Sequence, residues 1–441
     1  MVEGHSNQLE SATLSRIRQN LSRSFAARHS GAATSWLLRL LGGWNQISGR
    51  EGTVKITDVQ TAVISGNFDW VLVKITTDEG VTGLGEAYWG AGVNELVHKM
   101  RPMLIGENPI NVGKLYEKMV RGMSGAGSIG GATVTAISGV ELALWDLVGR
   151  ALNTPISTLF GGRFRDKIRI YADCHAGDDY TPEAYAAKAK EVVGAGFTAI
   201  KFDLDQQNEE RRKTWVDEDL GRYHKFEPFN RTIPPAQRKY MESLCAGVRE
   251  AVGPEIMLAM DCHWRYTVHD VTLLAQDLEK YDLMWLEDPV PPENIKAQAR
   301  VTHNTRTPIC TGENLYRKHG YQDLIEMQAA DIIAPDIPKM GGLMEAKKVA
   351  DWADTYYIPI APHNVSSPIG TVAAAHVCAA MSNFLVMEYH AYDVKWWEDL
   401  VEEPVIQDGF IHLNDKPGHG MTLNEDVARA HLKEGTSFFG E

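Results

Sequence analysis

Cysteine is scarce in this sequence and scattered. Its 441 residues hold five, Cys174, Cys245, Cys262, Cys310 and Cys378, an odd number without a C-x-x-C pair. That pattern argues against a disulfide framework and predicts reduced, mostly buried thiols of an intracellular protein. Cys262, although it falls between two polar residues of interest, is expected to pack rather than react. A basic stripe is also lacking: 44 Lys and Arg face 58 Asp and Glu, a formal net charge of −14, which argues against nucleic acid as a partner. No apolar run suggests itself as long enough to cross a bilayer, so no membrane partner is expected. Acids are themselves missing in one place. Residues 1–52 form an extension of different character, in which Arg16, Arg18, Arg23, Arg28, Arg39 and Arg50 precede Glu51 with only Glu3 and Glu10 among them. An Arg- and Ser-rich, acid-poor leader resembles an organelle transit peptide. A terminal oligomerisation arm or stray upstream sequence fits as well, so a cytoplasmic location is expected with organelle import left open.

What the chain does have is a repeated grammar. LMWLEDP is a short apolar run that ends in Glu287. MLAMDCH ends its run at Asp261 and TPICTGEN at Glu313, so the acids fall 26 residues apart twice over. That interval suits one strand, one helix and two loops, and the segments between, such as Asp270 to Tyr281 and Asn294 to Thr302, have helical composition. Acids closing successive strands predict a parallel barrel with its site at the strand C-terminal ends. A single acid at such a boundary usually caps the next helix. Three at a constant interval predict something else, because converging carboxylates repel one another unless a cation neutralises them. A hard, oxygen-ligated divalent ion, Mg²⁺, one per site, is the natural partner.

In chain order, Lys55 to Ile64, Asp69 to Thr76 and Val81 to Glu86 read as an antiparallel meander with a turn at Asp78-Glu79-Gly80. Helices over Glu95 to Leu104 and about Ala132 to Leu152 complete a small α+β domain. Its loops, with Asn67, Trp70, Tyr88 and Trp89, are candidate lid and substrate-binding elements. Barrel strands are expected at 168–172, 199–203, 256–261, 283–287, 308–313, 332–336, 358–362 and 384–388. An insertion from Leu204 to Arg238, rich in charge and aromatics, reads equally as a cover for substrate or a neighbouring subunit and as a solvated excursion. After the last strand, Trp396-Trp397 and the turn at Pro417 to Gly420 suggest that the C-terminus returns to the first domain.

Around the expected ring the strand ends carry Lys201 and Asp203, Asp261 and His263, Glu287, Glu313, Asp336, His363 and Glu388, a set that no structural core would choose. Lys201 and Asp203 share a face by alternation, as do Asp261 and His263 if that strand continues. Asp336, on the strand beside His363, can accept a hydrogen bond from the imidazole and fix its tautomer. A divalent ion between a Lys and a His–Asp pair suits removal of a weakly acidic proton next to a carboxylate, where the ion stabilises the resulting dianion.

These residues resemble the enolase superfamily, in the mandelate racemase group, from about Val54 to the C-terminus. The motifs that carry the resemblance are AISGVELALWDLVGRALNTP around Glu141 and Asp146, LFGG, K-x-D at Lys201, D-x-H at Asp261, WLEDP, TGEN, APD and APHN. A Lys or His base with Mg²⁺ and an ene-diolate is the general chemistry of that superfamily. The resemblance implies a (β/α)7β modified TIM barrel at 166–394 and an N-terminal α+β capping domain at 53–165, completed by about 395–441. It implies Asp261, Glu287 and Glu313 as Mg²⁺ ligands, His363 with Asp336 as the base, and Glu388 as a substrate-binding acid. Mandelate racemase is similar to a K-x-K pattern; here the second position is Asp203, a substrate-side residue, so Lys201 is expected to assist rather than abstract. The D-x-H motif resembles that of galactonate and gluconate dehydratases, so that His263 would protonate the departing hydroxyl; its alternative is to orient a metal ligand through a hydrogen bond. The expectation is an acid sugar dehydratase that turns an aldonic acid into a 2-keto-3-deoxy sugar acid and acts as a homo-oligomer. An epimerase, a lactone cycloisomerase and a catalytically retired binding barrel remain its rivals.

Overall fold

The computed structural model describes residues 54–177, 179–205 and 231–441. The Arg-rich extension and most of the insertion between Leu204 and Arg238 lie outside the described residues.

The chain opens with a three-stranded antiparallel sheet, β1 (Ile56–Ser65), β2 (Asp69–Thr77) and β3 (Thr82–Ala87). Ser65 pairs with Asp69 across the first turn and Thr76 with Thr82 across the second. The second turn closes on Gly80 at φ 78°, a conformation that suits glycine. Helices α1 (Val93–Leu104), α2 (Val112–Gly122) and α3 (Gly131–Ala151) cover one face. Sequence reading missed α2. It also missed the character of α3, which at 21 residues is long and apolar enough to cross a membrane; 83% of its most apolar window is buried in the protein. A Cβ on Gly85 would stand 2.3 Å from Ala143 N, and one on Gly139 would stand 2.6 Å from the Ala87 Cβ. Glycine at these two positions lets α3 lie directly on β3.

The parallel strands follow: β4 (Lys167–Asp173), β5 (Ala199–Asp203), β6 (Met257–Asp261), β7 (Trp285–Glu287), β8 (Ile309–Thr311) and β9 (Ile332–Ile333), hydrogen-bonded in that order. The seventh position is held by Ile360, bridged to Ile333 on one side and Phe384 on the other. The eighth runs from Phe384 into β10 (Met387–Tyr389), which pairs back onto β4 and closes the ring. A helix follows each of the first seven strands, among them α4 (Pro182–Gly194), α5 (Pro235–Val252), α6 (Val268–Leu278), α7 (Ile295–Thr302), α8 (Leu343–Asp354) and α9 (Pro368–Ala379), so the architecture is (β/α)7β. Thr181, Thr267 and Asn294 accept hydrogen bonds from the first turns of α4, α6 and α7, as their positions before each apolar pattern require. The ring is filled by Tyr171, Ala199, Ala259, Trp285, Cys310, Ile332, Ala361 and Val386. All five cysteines are buried and free, Cys262 among them.

The C-terminal segment leaves the barrel as a hairpin, β11 (Ile406–Gln407) and β12 (Phe410–His412), the latter antiparallel to the first half of β4. It then returns to the first sheet, where the amides of Lys433 and Phe439 donate to Val63 O and Thr61 O along β1.

Candidate active site

Strand register assembles the site. Asp203 on β5 stands beside Asp261 on β6, and Asp261 beside Glu287 on β7, so neighbouring strands bring three carboxylates into a row. Asp173 on β4 is level with Lys201, and Glu388 on β10 with Tyr171. Glu313 lies just past β8, reached through Gly312 at φ 145°, where a Cβ would crowd Ala334 N at 3.2 Å. The TGEN motif therefore needs its glycine for backbone reasons.

Lys201, 1% exposed, holds the cluster together. Its Nζ lies 2.8 Å from Glu388 Oε1, 3.1 Å from Asp261 Oδ2, 3.2 Å from Glu287 Oε1 and 3.6 Å from Asp173 Oδ2. Burial opposes its charge, but Glu287 and Glu388 hold its pKa well above the usual lysine range, so it remains an ammonium. One ammonium does not balance so many acids. Burial raises Glu287 well above the carboxylate range, and Asp261 adds to the effect; Glu388 rises to about 7 and Asp288 to about 8 for the same first reason. Oxygens of Glu287, Asp288 and Glu313 lie within 4.8 Å of one another, and so do ligand atoms of Asp203, Asp261 and His263. Lys201 spans the two groups. Trp285 Nε1–H donates to Glu287 Oε2 at 2.7 Å and fixes that carboxylate. A buried set of carboxylates in excess over its cations fits a hard divalent ion, and the three acids expected as its ligands, Asp261, Glu287 and Glu313, are divided between these two groups.

The two histidines expected from the sequence, His363 and His263, both lie against this cluster. His363 Nδ1 is 2.7 Å from Asp336 Oδ2, while its Nε2 is 3.0 Å from Glu313 Oε2 and 3.6 Å from Glu388 Oε2. Burial alone would depress its pKa; the charges of Glu313 and Glu388 and the Asp336 hydrogen bond raise it well above the usual range. His263 faces Asp203 and Asp261 with Nε2 at 3.9 Å from each. Burial again opposes its charge, and Asp261, Asp205 and Asp203 push its pKa up to about 12. Alternation along a continuing strand is not what puts His263 there. The strand ends at Asp261, and His263 and Trp264 take φ 44° and 59°, a left-handed pair worth about 1–3 kcal/mol of strain each. His263 N donates to Asp261 Oδ1 at 2.9 Å and Trp264 N to Asp288 O at 2.7 Å, which holds the turn.

Of the expected lid residues, Tyr88 lies with its ring 6.3 Å from His363, and Trp89 stacks on Tyr88 and on Phe68 at the mouth. Asn67 Nδ2 is 2.9 Å from His390 Nδ1. Trp70 differs from the expectation: it is 1% exposed and its Nε1–H is spent on Val365 O at 3.0 Å, so it fastens the first sheet to the barrel instead of reading a ligand. Sequence reading missed Lys339, a buried ammonium 2.6 Å from Asn314 Oδ1 and 4.6 Å above the Tyr88 ring. It missed Asp173, His175 and His390, which meet beside Lys201. It missed Asp205 as well, which lies two residues past the end of β5, where strand alternation no longer places a side chain.

Residues 51–161 match the family described as mandelate racemase / muconate lactonizing enzyme, N-terminal domain, and residues 184–427 match enolase C-terminal domain-like proteins. A D-xylonate dehydratase of Haloferax volcanii is 48% identical over 389 residues, 88% of this chain and 91% of that protein. A D-mannonate dehydratase of Caulobacter vibrioides is 30% identical over 87% of this chain and 99% of its own length. The crystal structure of a mandelate racemase/muconate lactonizing enzyme-like protein from Rubrobacter xylanophilus superposes with TM-score 0.81 at 43% identity, covering 88% of this chain and all of that one.

Proposed function

Because this chain belongs to the mandelate racemase / muconate lactonizing enzyme family of the enolase superfamily, we propose that it is a Mg²⁺-dependent acid sugar dehydratase. Its reaction removes the C2 proton of an aldonic acid and expels the C3 hydroxyl, giving a 2-keto-3-deoxy sugar acid. The 48% identity to a D-xylonate dehydratase makes D-xylonate the first substrate to try.

The observation that carries this reading is the opposition of the two imidazoles. In a ring of eight, the third and seventh strands face each other, and these are the strands that bring His263 and His363 to the carboxylate cluster. Elimination of water needs a base at C2 and an acid at C3, and the two histidines supply one of each. Mg²⁺ held by Asp261, Glu287 and Glu313 would stabilise the negative charge that grows on the substrate carboxylate. With an ion bound, Glu313 would hold a proton on His363 less strongly, leaving Nε2 able to accept the one from C2. Asp336 keeps Nδ1–H pointed away and steadies the imidazolium that forms. Lys201 adds a fixed positive charge on the substrate side of Glu287 and Glu388. Tyr88 and Trp89 wall the mouth and help exclude water.

The test is to incubate the protein and Mg²⁺ with D-xylonate and a panel of other aldonic and aldaric acids, measuring 2-keto-3-deoxy product by semicarbazide absorbance. An EDTA-sensitive product from one or two acids is expected. Proton exchange at C2 without product across the whole panel would replace dehydration by epimerisation.

A further inference from the structure

The partner of His363 was readable from sequence; the partner of His263 was not, and the structure supplies it. Asp205, 9% exposed, sits two residues beyond β5 with Oδ1 3.0 Å from His263 Nδ1. Its other oxygen, Oδ2, pairs with Arg265 Nε, so both ends of the carboxylate are engaged by residues of the turn that follows Asp261. The backbone just before it is pinned to the same strand end, with Leu204 N donating to Asp261 O at 2.7 Å. An imidazole whose Nδ1–H is donated to Asp205 presents Nε2 to Asp203 and Asp261, and it cannot flip without losing that bond.

We propose that Asp205 is a positioning residue for His263, so that the site carries two His–Asp pairs, His363–Asp336 and His263–Asp205, on opposite sides of the carboxylate cluster. The proposal deepens the dehydratase reading and rests on it. Each pair then serves one half of the reaction. His363 Nε2 takes the C2 proton, and the electron pair of that C–H bond is left on the substrate. It becomes the C2=C3 double bond as the C3–O bond breaks; the departing oxygen keeps the pair of that bond and takes the proton of His263 Nε2, leaving as water. The enol product goes on to the 2-keto acid. Asp205 matters only to the second half, because it aims the Nε2–H at the leaving oxygen and stays clear of C2. Arg265, half exposed, keeps Asp205 anionic and in place.

The two halves are separable in D₂O. Asp205→Asn is expected to slow dehydration by about 10–100-fold, the usual effect of removing a carboxylate that orients a functional histidine. Deuterium entry at C2 of recovered substrate, read by NMR, should continue, so the ratio of exchange to dehydration rises; His263→Asn should show the same split. Arg265→Gln, a change at the exposed rim, should move the ratio in the same direction by less, and serves if Asp205→Asn does not fold. Parallel loss of exchange and dehydration in both variants would make Asp205 a merely structural residue, and unchanged dehydration would remove it from the mechanism; either overturns the proposal. Wild-type protein that dehydrates no acid of the panel would instead overturn the dehydratase reading, and this inference with it.

Discussion

At the scale of single residues, His363 is where the account is most exposed. A side chain that accepts the substrate proton contributes about 10²–10⁴-fold to rate. His363→Asn should therefore lower dehydration by at least that range while circular dichroism and the melting transition stay near wild type; dehydration within a few-fold of wild type would move the base elsewhere. The residues to which the proposed reaction assigns chemistry are the legible ones. Asp261, Glu287, Glu313 and His363 stand out because a charged or titratable group at the end of an apolar run has no place in packing. Residues that hold those groups were less visible. Lys339 lies in a four-residue helical turn without periodicity, and His175 and His390 come from loops, so no pattern in the chain joins them. Trp70 was misassigned for the converse reason, since an aromatic on a short strand near a loop looks the same whether it faces a ligand or a core.

At the scale of elements, buried acids of the first domain fasten it to barrel helices. Glu86 on β3 accepts from Ser367 N and Gly370 N at 3.0 Å each, and from the Ser367 hydroxyl, at the start of α9. Glu141 on α3 accepts from Leu343 N at 2.8 Å and Met344 N at 2.9 Å at the start of α8. Asp146 joins Leu84 N and His419 N. Burial outweighs the donors on Glu86 and Glu141 and raises both pKa values to about 7. A carboxyl with folded pKa above its unfolded value binds its proton more tightly when folded. The stability it gives is present below about pH 4.5 and lost as pH rises through about 7. Glu86→Gln cannot ionise, so between pH 5 and pH 8 it should lose less stability than wild type, by on the order of 2–3 kcal/mol in urea unfolding; identical pH slopes would contradict this. The C-terminal return is a second fastening, with Phe438 and Phe439 nearly buried beside β1. Phe439→Ala should cost about 3 kcal/mol, seen as a lower urea midpoint with unchanged slope. These joints explain what sequence could and could not supply. Strand and helix rhythm gave the eight barrel positions, because apolar runs of four or five residues repeat at a steady interval. The hairpin of β11 and β12 was invisible, since strands of two and three residues have no period to detect.

At the scale of the whole molecule, the barrel gathers acids from several strands onto one edge and leaves Lys201 to hold them together. Their mutual repulsion is a cost that a bound divalent ion would relieve. Mg²⁺ at a hundred times its dissociation constant should stabilise the fold by about 3 kcal/mol and raise the melting temperature, with EDTA reversing the shift; a melting curve indifferent to both would argue against the ion site. The acidic composition and the barrel were legible from the chain because both are statements about many residues at once. The distances between groups on different strands were not, because register is set by packing across the ring. The measurement that bears most directly on the central claim is turnover of D-xylonate with Mg²⁺, followed by semicarbazide-reactive product. The account predicts a 2-keto-3-deoxy acid that forms with Mg²⁺, stops with EDTA, and is lost in His363→Asn. No such product from D-xylonate or any other sugar acid, in folded and Mg²⁺-loaded protein, would contradict it.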